Sequence, residues 1–253
     1  MSASAAAPWA DWLARWDRFQ ESYVPHRAAQ FDLMLDCVAS WWRGTPVRAL
    51  DLGCGPGSVA ARLLHRLPAA EVVALDYDPW LIEMGRRTIG GCDRLTWLEA
   101  DLRDDAWNRP LRHQEFHAVL TATTLHRFDA GELTHIYRGI ATLMVEGGLF
   151  LNADVLPTGS PRVMRLTREL LMRWQARRAT PPLGESWFAF WQDARRVPAF
   201  RALIAERDRR LEPRTARQAP ALAFHEDALL AAGFREVGEI WRWHESAILL
   251  AIR

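Results

Sequence analysis

Between residues 47 and 67 the chain has few folds open to it. Residues 47–52 form a short apolar run carrying Asp51, and Gly53-Cys54-Gly55-Pro-Gly57 follows as a turn. Residues 58–67 then show helical spacing of apolar side chains. Glycines at such a junction accept positive φ and let a ligand lie directly on the backbone at a helix N-terminus. Strand, glycine turn and helix in that order open a βαβ unit.

The rest of the chain repeats the alternation. Residues 71–75 read as a second buried strand ending at Asp76. Asp78-Pro79 supplies an N-cap and an N1 proline for a helix through Arg87. Strands are expected at 95–99 and 116–121. Asp129-Ala-Gly-Glu132 has the form of a capping box opening a helix to Val145, with Gly147-Gly148 breaking it before a fifth strand at 149–153. A helix at 224–232 and strands at 235–241 and 245–252 close the chain. Ahead of the first strand, Pro8 and the spacing of Trp9, Trp12, Leu13, Trp16 and Phe19 predict one helix, and residues 25–42 a second. The pattern is α/β with a mostly parallel sheet. It divides into N-terminal helices (1–45), a core (46–157), an insertion (158–220) where the alternation stops around Thr180-Pro-Pro-Leu-Gly184, and the end of the core (221–253).

Composition narrows the chemistry. All 32 basic residues among 253 are Arg, which excludes Schiff-base lysine catalysis and the phosphate-binding loop that needs a Lys. A net charge of +1 argues against a dedicated nucleic-acid binder. Within this balance residues 158–217 carry 14 Arg against 6 acids, read either as solvated helix faces or as a basic lid for an acidic substrate. Cys37, Cys54 and Cys92 have no metal-ligand or disulfide spacing, so no metal is expected. No signal-like N-terminus or eighteen-residue apolar run appears, and a cytoplasmic, membrane-free location is expected.

A nicotinamide site would show G-x-G-x-x-G, but Ser58 stands at the third glycine position. Asp51, two residues before the first glycine, offers little to a pyrophosphate and much to a ligand with an amino group and a sulfonium. Here the sequence resembles the class I S-adenosylmethionine-dependent methyltransferases. Ala49-Leu-Asp-Leu-Gly-Cys-Gly-Pro-Gly57 is similar to their first motif, and Val72-Val-Ala-Leu-Asp76-Tyr-Asp-Pro to the second. Leu98-Glu-Ala-Asp101-Leu102 resembles the third, and the run from Phe116 to His126 the fourth. The likeness is strong over 47–155 and 222–253.

The resemblance implies a Rossmann-like seven-stranded, mostly parallel sheet with an antiparallel last strand. It implies S-adenosyl-L-methionine as cofactor, S-adenosyl-L-homocysteine as product, and a small-molecule acceptor. It places Asp51, Gly53, Cys54 and Gly55 in the cofactor turn and Asp76, 23 residues past Gly53, on the ribose hydroxyls. Tyr77 would pack on the adenine, Asp101 accept from its amino group, and the amide of Leu102 meet the ring. Thr121 belongs to the element beside the methionine moiety, and Tyr23 and Arg27 to a segment folded over the cofactor. As catalytic candidates, His126 would serve as general base, and Asp154 would orient the acceptor or cap the next helix. Trp187 and Trp191 would wall the acceptor pocket or pack the insertion onto the core. Thr121-Ala-Thr-Thr124 stands where nucleic-acid amino-methylating enzymes carry an Asn/Asp-Pro-Pro-aromatic motif, so nucleic acid is not the expected partner. A non-methylating reaction on the same cofactor, or a protein or nucleic-acid acceptor, is the alternative. A monomer or homodimer is expected.

Overall fold

The computed structural model describes residues 9–90, 92–178, 186–211 and 219–253. Pro8 and the Thr180–Gly184 break lie outside them. Two helices, α1 (Trp9–Tyr23) and α2 (Arg27–Trp41), precede the sheet. The βα alternation then runs β1 (Arg48–Leu52), α3 (Ser58–Arg66), β2 (Glu71–Asp76), α4 (Pro79–Thr88), β3 (Leu95–Glu99), β4 (Phe116–Ala122), α5 (Ala130–Leu143) and β5 (Met144–Val155). The insertion supplies α6 (Pro161–Arg178), α7 (Trp187–Arg196) and α8 (Arg201–Arg210). The chain ends with α9 (Leu222–Ala231), β6 (Glu236–Trp243) and β7 (Ser246–Ile252).

The seven strands lie in the order β3-β2-β1-β4-β5-β7-β6, and β7 alone runs against the others. The chain winds outward in opposite directions from β1 and β4, so the crevice beyond the carboxyl ends of these two strands is the switch point where α/β sheets bind ligands. One sheet face buries Leu50, Leu52, Val119 and Phe150 against α5 and α9. The other buries Ala49, Leu120 and Leu151 against α2 and α3, whose Met34, Val38, Val59 and Leu63 belong to the same cluster. A third, aromatic cluster joins Trp12, Trp16 and Phe19 of α1 to Trp80 of α4 and to Phe190, Trp191 and Phe200 of the insertion. This cluster fixes α7 and α8 above the carboxyl edge of the sheet. The first part of the insertion lies elsewhere: α6 meets the β6–β7 hairpin and the α1–α2 turn, through Arg168–Glu245 and Trp174 against Trp243 and His26.

One boundary differs from the sequence expectation. The capping box at Asp129–Glu132 is present, but α5 ends at Leu143 and β5 begins at once at Met144, passing through Gly147-Gly148. The glycines sit within an irregular strand start, where the β4–β5 register shifts between Phe116 and Ala118. Backbone bonds to Arg253, from the Gly147 N–H (2.8 Å) and to the Gly148 carbonyl (2.9 Å), hold them in the strand against their weak strand preference.

Candidate active site

The glycine turn takes the backbone that its composition allows. Gly53, Gly55 and Gly57 have φ of 71°, 55° and 84°. A Cβ on Gly53 would overlap the Thr124 side chain, and Thr124 Oγ1 donates to the Gly53 carbonyl at 3.2 Å. The turn and the loop after β4 are thereby held together. Over them opens a cavity of about 530 Å³, within the range of small-molecule and cofactor sites.

Carboxylates line its floor. Asp51 is 2% exposed and accepts the Ala60 N–H at 2.9 Å. Burial raises it to about 7, with the Asp76 charge adding and Arg27 opposing. Asp76 accepts from the amides of Gly55 (2.6 Å), Tyr77 (2.7 Å) and Asp78 (2.8 Å). Its net shift is upward because burial outweighs those bonds. Cys54 and Leu102 are buried in the cavity wall. At the rim, Asp101 is gripped by Arg103, whose Nε donates to both carboxylate oxygens at 2.7 and 2.8 Å. The guanidinium groups of Arg103 (5.3 Å) and Arg210 (5.2 Å) both lie over the Tyr77 ring.

The N-terminal helices close one side. Arg27 is buried, lies over the Phe31 ring and donates to Asp17 at 3.1 Å; Asp17 also accepts from Ser58 Oγ at 3.0 Å. Burial lowers the Arg27 pKa. The Tyr23 hydroxyl accepts the backbone N–H of Trp187 at 2.9 Å, tying α1 to the start of α7. Trp187 and Trp191 both line the cavity; Trp187 is half exposed, whereas Trp191 is buried in the aromatic cluster. Of the two expectations for Trp191, packing of the insertion onto the core is what the cluster shows, and the residue also borders the cavity.

His126 stands on the opposite wall, in a short 3-10 turn after β4. Asp154, at the end of β5, is 2% exposed. It accepts the His126 backbone N–H at 3.0 Å and lies 2.7 Å from His126 Nδ1. The carboxylate charge raises the imidazole pKa despite burial. Asp154 itself is held low by His126 and by the amides of Val155 and His126, against the burial that opposes them. Thr123, next to this turn, adopts φ of 53°, a left-handed conformation uncommon for a β-branched residue and found where a site constrains the backbone.

Two expectations need correction. Thr121 is fully buried and outside the cavity lining: strand alternation turns it to the α5/α9 face, and Ala122, Thr123 and Thr124 meet the cavity instead. Asp154 lines neither the cavity nor caps α6; it sits behind His126 and holds it. Sequence reading also passed over Arg103, Arg127, Arg207 and Arg210 as cavity residues. The position of Arg103 two residues after Asp101, and of Arg127 next to His126, was a usable signal for the first two. Nothing local marked the pair from α8. Among the described residues no helix is long and apolar enough to cross a membrane.

Residues 49–148 match a family model described as a methyltransferase domain. Over 140 residues the chain is 26% identical to trans-aconitate 2-methyltransferase of Rhodopseudomonas palustris, covering 55% of this chain and 49% of that one. A 92-residue stretch is 36% identical to the Streptomyces avermitilis protein of the same name, covering 35% and 34% of the two chains. The chain thus spans about half or less of the length of these relatives. Among solved structures, an O-methyltransferase family protein from Burkholderia thailandensis superposes with a TM-score of 0.56 at 21% identity, over 88% of this chain and 55% of that one. Human N-acetylserotonin methyltransferase, solved with S-adenosylmethionine, superposes with a TM-score of 0.54 at 16% identity, over 100% and 60%.

Proposed function

We propose that the chain is a class I S-adenosylmethionine-dependent methyltransferase that methylates a small-molecule acceptor whose proton His126 removes, a reading supported by the methyltransferase-domain match over residues 49–148 and by the methyltransferase relatives. The observation that carries this reading is His126 on the wall of the cavity at the switch point, held from behind by Asp154.

The residues present fit the cofactor. A carboxyl at Asp51 that burial raises to about 7, with the Arg27 charge only partly opposing, gains from a cationic ligand group. Asp51 and Arg27 would take the amino-acid end, Asp76 the ribose hydroxyls, and Tyr77 and Leu102 the adenine. Asp101 would accept from the adenine amino group once Arg103 gives way. When bound, the cofactor supplies a methyl on a sulfonium, ready for in-line displacement.

His126 Nδ1 donates to the ionised Asp154, which leaves Nε2 as the basic nitrogen. Asp154 fixes this tautomer and stabilises the imidazolium formed as the acceptor loses its proton. Trp16, Trp187 and Trp191 offer flat apolar surface to the acceptor and exclude water. A second reading draws on Arg127 beside His126 and on the carboxylic acid in the relatives' name: a carboxylate acceptor, already ionised, for which His126 would position rather than deprotonate.

The test is transfer of label from methyl-labelled S-adenosylmethionine into a metabolite extract, with His126→Gln in parallel. Labelled small molecules are expected from the wild type. Loss of label in the variant supports the base, and retained label on a carboxylate supports the second reading. No labelled product from the wild type, or label found only in macromolecules, refutes both.

A further inference from the structure

The insertion does more than roof the cavity: α8 reaches into the loop at the end of β2. Arg207 is buried, and its Nε donates to Asp78 Oδ2 at 2.7 Å. The other oxygen of Asp78 caps α4, accepting from Trp80 (3.0 Å) and Leu81 (3.2 Å). The same guanidinium lies 3.5 Å from the centroid of Trp191, a cavity-wall residue from α7. One turn further along α8, Arg210 donates to Glu99 (2.6 Å) and to the Tyr77 carbonyl (3.3 Å). The three consecutive residues Asp76, Tyr77 and Asp78 are therefore held respectively by the glycine turn, by Arg103 and Arg210, and by Arg207.

We infer that Arg207 is a positioning residue that couples the acceptor wall to the cofactor loop, so that cofactor binding and the placement of Trp191 stabilise each other; this rests on the proposed reading of Asp76 and Tyr77 as cofactor residues. The physical basis is that one buried cation touches both parts. A buried guanidinium needs its carboxylate, and a carboxylate 4% exposed needs its guanidinium. Arg207 keeps a second partner on its own helix, Nη1 donating to Asp208 at 3.2 Å, so a shift of α8 or of the loop strands the Asp78 carboxylate. Burial still leaves Asp78 raised to about 6 with Arg207 beside it and the Asp76 charge opposing ionisation, so removing Arg207 favours its neutral form. Coupling of this kind is reciprocal: whatever orders the loop orders the wall.

The test is calorimetric titration of S-adenosylhomocysteine into the full chain carrying Arg207→Met, Arg207→Lys, Asp78→Asn or the Asp78→Asn/Arg207→Met pair. Arg201→Met, on the exposed start of α8, serves as control. Arg207→Met is expected to weaken binding about five- to fiftyfold, within the usual span of site coupling. Arg207→Lys should recover part of the loss, the double variant should bind no worse than the weaker single one, and Arg201→Met should match the wild type. Wild-type affinity in Arg207→Met, or losses that multiply in the double variant, would overturn the inference while leaving the cofactor site standing. Failure of the wild type to bind at all would remove the site assignment and the inference with it. If Arg207→Met lacks a cooperative thermal transition, the comparison of Arg207→Lys with Arg201→Met decides, with equal affinities counting against the coupling.

Discussion

On the proposed assignment of Asp51 to the ligand's amino group, cofactor binding is expected to release a proton. Its carboxyl is raised to about 7 by burial, with only Ala60 N–H and the charge of Arg27 favouring ionisation. At pH 7 about half the molecules therefore carry a neutral Asp51. An ammonium group within a few ångström lowers a carboxylate by about 1–3 units, which takes Asp51 to about 4–6 in the complex. Binding of S-adenosylhomocysteine at pH 7 should then release about half a proton, and the affinity should fall about five- to tenfold between pH 8 and pH 6. The sign for the unliganded protein is opposite. A carboxyl raised above its unfolded value adds stability at low pH that is lost as pH rises through about 7, amounting to about 4 kcal/mol. The assay is calorimetry at pH 7 in two buffers of different ionisation enthalpy, repeated on Asp51→Asn, which should bind more weakly with no proton release. A proton count near zero in the wild type, or equal affinities at pH 6 and pH 8, would refute the reasoning and move the ligand's amino group away from Asp51.

Further outcomes follow from the same geometry. His126→Gln should slow turnover of a hydroxyl or carbon-acid acceptor by about a hundredfold or more, with little change in cofactor affinity, as steady-state kinetics with methyl-labelled cofactor will report. Asp154 raises the His126 pKa, so Asp154→Asn should shift the acid limb of the rate–pH profile downward; an unmoved limb would separate the limb from His126. Asp76→Ala should weaken S-adenosylhomocysteine by about 1.5–3 kcal/mol, the range for charge-assisted hydrogen bonds, measured by the same titration. Tyr137→Phe removes the 2.6 Å bond to the 1%-exposed His225, and should cost about 1–3 kcal/mol in denaturant unfolding by leaving a buried ring nitrogen unpaired.

What the sequence determined by itself was local. Residues 51–57 could be read because positive φ needs glycine and a helix start needs N–H groups turned outward. Asp78-Pro79 and Asp129–Glu132 could be read because caps are settled within four residues, and both are present. The sheet class followed from strands alternating with helices, each buried or amphipathic in its own right. The tertiary structure decided what depends on contacts far apart in the chain. Strand parity turned Thr121 away from the cavity, and β5 carried Asp154 to His126 across 28 positions. Backbone bonds to Arg253, more than a hundred positions away, made strand out of Gly147-Gly148. Arg207 found Asp78 across 129 positions. A buried ion pair is favourable only when both charges are desolvated in matched geometry, and that geometry exists only after the sheet, α1 and α4 have packed to receive α8.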